Sequence, residues 1–293
     1  MTVVLAVPGN VTHAERLATH LGVPLIVPEV RRFPDGELYV RIDGDVAGHE
    51  VVLVGSLQDP GDKFLLVAFL AGTARDLGAT AVGLVAPYLA YMRQDARFKT
   101  GEGVTSRYFG KLMSQTFDWL VTVDPHLHRL DALAHVYSMP TTIARAAPSI
   151  AGWITANIAQ PILVGPDAES VQWVAAVAEA CHAPYLILEK TRRGDRDVSI
   201  TAPSDLGGRT PVLVDDIVST GKALIEATRQ LRAADSVPPI CIAIHAVFAD
   251  EVTAELVAAG ARGIVTCDTI PHASNEIRVD LPIADAVRSR LRR

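Results

Sequence analysis

Positive charge is scarce in this sequence, cysteine is scarcer, and no apolar run is long. Lys and Arg number 27 against 33 Asp and Glu, a formal net charge of -6. Contacts to a nucleic-acid backbone need clustered Lys and Arg, so the composition argues against a nucleic-acid partner. Anionic metabolites remain open, because they need only a locally positive pocket. The three cysteines, Cys181, Cys241 and Cys267, are odd in number and widely spaced. That excludes a disulfide framework or a cysteine zinc site and predicts buried free thiols in a reducing compartment. Apolar runs such as Leu65 to Ala71 fall far short of the roughly 20 residues that span a bilayer. The start, Met1-Thr2-Val3-Val4-Leu5-Ala6-Val7, lacks a basic leader and a full apolar stretch behind it, so the cytoplasm is expected. No G-x-G-x-x-G follows the first expected strand and no Walker A loop occurs. A dinucleotide-binding enzyme is disfavoured accordingly.

What is present is a chain of 293 residues, 49% of them hydrophobic. That is ample for packed cores, and at roughly 100–200 residues per domain it suggests two. Short apolar, β-branched runs predict strands over Val3–Val7, Val51–Gly55, Ala81–Ala86, Leu120–Val123, Ile162–Val164, Tyr185–Leu188, Val212–Val214, Ile240–Ala246 and Gly263–Thr266. Amphipathic segments between them predict helices over Val11–His20, Lys63–Leu77, Ser106–Thr116, Ser170–Ala180, Lys222–Ala233 and Glu251–Ala259. This alternation indicates βαβ units, and strands apolar nearly throughout indicate parallel sheets buried on both faces. Ala147-Pro148-Ser149 separates two stretches of similar alternation. The expected domains are therefore 1–146 and 147–293, with the last helix free to pack back on the first. Glu29–Ile42 and Glu189–Thr201 read as extended or irregular. The second, rich in Lys and Arg, fits either a solvated loop or a loop over an active site.

The most informative segment is Pro211-Val212-Leu213-Val214-Asp215-Asp216-Ile217-Val218-Ser219-Thr220-Gly221-Lys222. An apolar strand runs into two carboxylates, a short loop follows, and a helix begins near Gly221. Backbone N–H groups and the Ser219 and Thr220 hydroxyls at a helix N-terminus make a seat for a phosphate monoester. Asp215 and Asp216 sit at the carboxyl end of the strand, where open α/β sheets place ligands. They suit sugar hydroxyls, or Mg²⁺ bridging to a diphosphate.

Val212 to Lys222 resembles the phosphoribosyl pyrophosphate signature shared by type I phosphoribosyltransferases and ribose-phosphate diphosphokinases. Further segments resemble the diphosphokinases: Arg32-Phe33-Pro34-Asp35-Gly36-Glu37, the run Pro87 to Asp95 with Arg93-Gln94, and Asp124-Pro125-His126-Leu127-His128. So do Gly165-Pro166-Asp167-Ala168-Glu169-Ser170 and Glu189-Lys190-Thr191-Arg192-Arg193. The resemblance implies two similar α/β domains of type I phosphoribosyltransferase-like architecture, each with a mostly parallel sheet flanked by helices. It implies transfer of the β,γ-diphosphoryl group of ATP to the C1 hydroxyl of ribose 5-phosphate, giving phosphoribosyl pyrophosphate and AMP, with Mg²⁺. By resemblance, ATP is held by Phe33, Asp35, Glu37, Arg93, Gln94 and His126. Ribose 5-phosphate is held by Asp215, Asp216, Ser219, Thr220 and Gly221. His126 and Asp167 serve the metal, Lys190 and Arg192 serve catalysis, and Asp95 is placed to orient Arg93. Glu169 departs from the family, which favours small or basic residues there. The resemblance also implies a homo-oligomer with a dimer as its minimal unit, up to a hexamer, in which the Phe33 loop reaches a neighbouring subunit's nucleotide. A non-catalytic regulatory homologue and a type I phosphoribosyltransferase are the competing readings.

Overall fold

The computed structural model describes the chain apart from residues 128, 131, 194–196, 202–205 and 292–293, and describes residues 189–193 and 197–201 by their backbone. The chain divides into two compact units, one of Met1–Ala144 with Asp280–Arg293, the other of Arg145–Val279.

In the first unit the strands are β1 (Thr2–Ala6), β2 (Leu25–Ile26), β5 (Glu50–Val54), β6 (Ala81–Ala86), β7 (Trp119–Val123) and β8 (Thr141–Ala144). They form one sheet in the order β2-β1-β5-β6-β7-β8, parallel throughout. An antiparallel ribbon, β3 (Glu29–Arg32) with β4 (Leu38–Arg41), leaves the chain between β2 and β5. Helices α1 (Val11–Leu21), α2 (Pro60–Asp76) and α3 (Thr105–Thr116) supply the crossovers. The interior strand residues, such as Val51 to Val54, are buried, as expected where helices cover both faces. At Gly83 a Cβ would lie 2.0 Å from the Trp119 indole. Only glycine lets β6 and β7 pack with that ring between them.

The second unit repeats this plan. Its strands are β9 (Pro161–Gly165), β10 (Tyr185–Ile187), β13 (Thr210–Val218), β14 (Ile240–Ala246), β15 (Gly263–Cys267) and β16 (Asn275–Ile277). Their order is β10-β9-β13-β14-β15-β16, again parallel. The ribbon β11 (Glu189–Arg193) with β12 (Asp197–Thr201) leaves between β10 and β13, the place the first ribbon holds in its own unit. The helices are α4 (Ala147–Asn157), α5 (Val171–Cys181), α6 (Lys222–Ala233) and α7 (Asp250–Ala258). Leu213, Leu224, Leu231, Cys241 and Leu256 share one core there.

The last helix, α8 (Asp280–Leu291), belongs to the first unit. Asp280 at its start accepts from His20 Nε2 at 2.6 Å, and Arg288 donates to the His20 carbonyl at 2.5 Å, which fastens α8 to α1. Among the described residues, no helix is long and apolar enough to cross a membrane.

The charged segments Glu29–Ile42 and Glu189–Thr201 are extended, and each contains a ribbon. Ala147-Pro148-Ser149 opens α4, just past the division between the units at Ala144. Proline is tolerated there because first-turn N–H groups have no partner within the helix. The strand expected to stop at Val214 runs on to Val218, so Asp215 and Asp216 lie within β13.

Candidate active site

Each sheet reverses its strand order at one point, between β1 and β5 in the first unit and between β9 and β13 in the second. In open α/β sheets that reversal opens a crevice at the carboxyl ends of the strands, where ligands bind. The second unit concentrates its carboxylates there. β13 pairs with β9 only as far as Leu213↔Val164. Beyond that point β9 pairs with β10 alone, as far as Gly165↔Ile187; Asp167 follows it, and Asp215 lies on the part of β13 that β9 no longer pairs.

Asp215 is held well above the usual carboxylate range, first by burial and then by the charges of Asp216 and Asp167. Asp216 is 3% exposed. Each of the pair accepts the amide that follows it, Asp216 N to Asp215 Oδ1 at 3.0 Å and Ile217 N to Asp216 Oδ1 at 2.7 Å. A buried carboxylate whose proton affinity is raised by two neighbouring ones suits a cation or a diol. Asp167 also caps a short 3-10 turn, accepting from Glu169 N at 3.0 Å. Glu169 itself is exposed, so water screens the charge that departs from the family pattern.

After β13 the chain passes through Ser219 and exposed Thr220 to Gly221, the N-cap of α6. Gly221 has φ +66, and a Cβ there would lie 2.4 Å from Val252 Cγ1. The turn therefore demands glycine on both conformational and steric grounds. It aims the first-turn N–H groups of a twelve-residue helix out of the carboxyl end of the sheet.

In the first unit, Phe33, Asp35 and Glu37 occupy the exposed turn of the β3–β4 ribbon. Phe33 N donates to the Glu37 carbonyl at 2.8 Å and Gly36 N to the Phe33 carbonyl at 2.9 Å. Asp35 Oδ1 accepts from Glu37 N at 3.1 Å, so this carboxylate orders the turn. Arg31 lies over both the Phe33 and Tyr39 rings, 4.8 and 4.0 Å from their centroids. Arg32 donates to the Gly36 carbonyl at 2.8 Å and meets Asp62 of α2 at 3.2 Å. A pocket of about 450 Å³ lies between turn and helix, with Glu37, Leu38, Leu65 and Phe69 in its wall.

Arg93 and Gln94 follow β6, and His126 follows β7, so adjacent strands carry them to the same sheet edge. Arg93 is exposed and His126 half-buried. Gln94 is pinned by α3, whose Thr105 hydroxyl donates to Gln94 Oε1 at 2.9 Å. The carboxyl ends of β5, β6 and β7 are each followed by a non-glycine residue with positive φ: Asp59 (+52°), Tyr91 (+60°) and Asp124 (+27°). Backbone held in so costly a region clusters at functional edges. One expectation changes here: the Asp95 carboxylate pairs not with the Arg93 side chain but with Arg129, whose Nη1 donates to it at 3.0 Å. Arg129 was missed because it lies 34 positions away and belongs to no motif.

Lys190 and Arg192 lie on β11, in register with Ile200 and Val198. His128 and Arg196 lie outside the described residues. Among the described residues no group of three or more His, Cys, Asp or Glu converges at metal-binding distance.

Residues 2–116 match the family model described as the N-terminal domain of ribose phosphate pyrophosphokinase, and residues 138–283 match the phosphoribosyl transferase domain. The ribose-phosphate pyrophosphokinase of Methanopyrus kandleri is 34% identical over 291 residues, covering 98% of this chain and 99% of that one. That of Saccharolobus solfataricus is also 34% identical, over 273 residues, covering 91% and 93%.

This chain belongs to the ribose-phosphate pyrophosphokinase family.

The fold agrees with that of a phosphoribosylpyrophosphate synthetase from Mycobacterium smegmatis, with a TM-score of 0.86 at 22% identity over 99% of each chain. As in that fold, each pyrophosphokinase domain is a mostly parallel sheet flanked by helices, and the phosphoribosyl transferase match spans the Asp167, Asp215 and Gly221 site.

Proposed function

We infer that this chain is a ribose-phosphate diphosphokinase, transferring the β,γ-diphosphoryl group of ATP to the C1 hydroxyl of ribose 5-phosphate to give phosphoribosyl pyrophosphate and AMP. The observation that carries the reading is the switch-point site of the second unit, a carboxylate trio beside a helix N-terminus, in a chain whose first unit matches the pyrophosphokinase N-terminal domain. A phosphoribosyltransferase alone would leave that first unit without a role.

Ribose 5-phosphate places its 5-phosphate over Ser219, Thr220 and Gly221, where first-turn N–H groups and hydroxyls meet the anion. Asp215 and Asp216 accept hydrogen bonds from the sugar diol. Phe33 stacks on adenine, Asp35 and Glu37 shape and line the base-side turn, and Arg93, Gln94 and His126 hold the triphosphate end. Lys190 and Arg192 meet charge on the diphosphoryl group as it moves. The work is positioning and charge neutralisation, and no side chain need act as general base.

The donor set fits Mg²⁺ that arrives with its substrate. Mg²⁺ keeps much of its water and takes one or two carboxylates plus phosphate oxygens rather than a full protein cage. The raised proton affinity of Asp215, with Asp167 facing it, marks a place where a cation is favoured. His126 in the first unit and Asp167 in the second are each assigned to Mg²⁺, which when bound would neutralise the diphosphate oxygens.

The partners are then ATP and ribose 5-phosphate, with neither nucleic acid nor membrane, and the setting is the cytoplasm. The assembly is a homo-oligomer with a dimer as its minimal unit. Exposed Leu65 (48%) and Phe69 (43%) beside the Phe33 turn support an interface there.

The test combines ribose 5-phosphate, ATP and Mg²⁺ and follows nucleotides and phosphoribosyl pyrophosphate together. Equal amounts of AMP and phosphoribosyl pyrophosphate are expected. ADP as the main nucleotide product would mean single-phosphoryl transfer. No turnover dependent on ribose 5-phosphate would point instead to a regulatory homologue.

A further inference from the structure

The first unit contains an ion pair whose two ends differ sharply in environment. The Asp95 side chain is 5% exposed and that of Arg129 is 55% exposed. A buried carboxylate requires a cation or hydrogen bonds to remain charged, and among the described residues its partner is Arg129, at 3.0 Å. The pair is therefore unlike an exposed bridge, which contributes little.

Its location matters more than its strength. Asp95 ends the segment that follows β6 and carries Arg93 and Gln94. Arg129 lies in the segment that follows β7 and carries His126. β6 and β7 are neighbours in the sheet, in register from Gly83↔Trp119 to Ala86↔Thr122. The pair thus ties together two loops that rise side by side, which deeper down also meet where the Tyr137 hydroxyl lies 3.9 Å from the Met92 sulfur. Arg129 is itself held by a second contact. Its guanidinium lies over the Phe98 ring, 4.9 Å from the centroid. Phe98 is placed in turn by Glu102, whose Oε2 accepts from the amides of Phe98 and Lys99 at 2.7 and 3.0 Å. On the far side, Thr105 and the Ser106 amide fix Gln94 through its side chain and its carbonyl, at 2.9 and 3.4 Å.

We propose that Arg129 is a positioning residue for the nucleotide: through Asp95 it fixes Arg93 and Gln94 relative to His126, without itself contacting the reacting atoms. The proposal rests on the assignment of those three residues to ATP. A planar guanidinium suits the task, because one edge meets a carboxylate while the face stacks on a ring. Loops free to shift by an ångström would present Arg93 and His126 to different positions of the same triphosphate, and misplacement on that scale is costly.

The test uses the full chain and reads ATP Kd by calorimetry beside steady-state kinetics. Arg129→Gln and Asp95→Asn should each weaken ATP binding about tenfold, and raise the ATP KM in proportion. The KM for ribose 5-phosphate should stay within about twofold and kcat within about threefold, because the ribose site lies in the other unit. Since both substitutions break one link, the double variant should be no worse than either single one. Arg129→Lys should recover most of the affinity, since an ammonium can still reach the carboxylate. Asp95→Asn leaves no unpaired buried charge, so it reports on the link even if Arg129→Gln unfolds. Additive effects would overturn the proposal, as would an unaffected ATP Kd in Asp95→Asn or equal weakening of both substrates. If the wild-type chain binds no ATP, the nucleotide reading falls and takes the proposal with it. If it binds ATP and releases AMP while the variants match it, only the proposal falls.

Discussion

Gly221 and Val252 approach so closely that a methyl group cannot fit between them: a Cβ on Gly221 would lie 2.4 Å from Val252 Cγ1. The backbone there is also left-handed, at φ +66. Gly221→Ala should cost about 2 kcal/mol of stability from strain and overpacking together. It should raise the KM for ribose 5-phosphate far more than that for ATP, because it moves the first turn of α6. Adding Val252→Ala should recover the packing part of the loss and leave the strain. Denaturant melts and kinetics on the single and double variants check this.

Asp215 gives the site a pH signature. Its folded-state pKa is raised, by burial and then by Asp216 and Asp167, so the native chain binds this proton more tightly than the unfolded chain. Stability from this group is fully present below the unfolded value near 4, and is lost as pH rises through the folded value. Above that folded value the ionised carboxylate is a cost borne for function. Asp215→Asn should therefore flatten this part of the pH dependence of Tm in the ligand-free protein, gaining on the wild type as pH rises, and abolish ribose 5-phosphate binding. A difference in Tm between variant and wild type that does not grow with pH would contradict the account.

Phe33→Ala should mainly weaken nucleotide binding. A stacked base is worth roughly 1–3 kcal/mol, so the ATP KM should rise about tenfold or more while that for ribose 5-phosphate holds. The ribbon itself should survive, because Arg31 keeps Tyr39 as a partner. If the turn serves a neighbouring subunit, sedimentation of the active protein will show a dimer or larger. An active monomer would contradict that arrangement.

Lys190→Ala should lower kcat and kcat/KM together, the mark of a contact made in the transition state. Loss of one well-placed cation costs on the order of 3 kcal/mol, roughly a hundredfold in rate. Arg192→Ala should behave alike, and the double variant should be non-additive if both serve one transition state. Arg193→Ala and Arg196→Ala should do less. Near-normal kcat in both Lys190→Ala and Arg192→Ala would move catalysis away from the β11–β12 ribbon.

The elements most legible in the sequence are those whose environment is uniform. Val51 to Val54 and Ala81 to Ala86 read as buried parallel strands because both their faces are covered. The ribbons read only as extended or irregular, for the opposite reason. Residues such as Arg31, Arg32 and Glu37 are exposed, and their pairing is visible only once the partner strand is in place. The phosphate turn was legible because its chemistry is local, from Asp215 to Gly221. The Asp95–Arg129 link was not, because nothing in either segment specifies the other. The shared strand order of the two units is likewise a property of topology: it requires the same pattern of burial, not the same residues.

The most direct test of diphosphoryl transfer follows the C1 oxygen. Ribose 5-phosphate carrying ¹⁸O in its C1 hydroxyl is turned over with ATP and Mg²⁺, and the products are read by ³¹P NMR and mass spectrometry. If that hydroxyl attacks the β-phosphorus, the label stays as the bridge between C1 and the diphosphate, and AMP leaves unlabelled in equal amount. Loss of the label from phosphoribosyl pyrophosphate, or ADP in place of AMP, would contradict it.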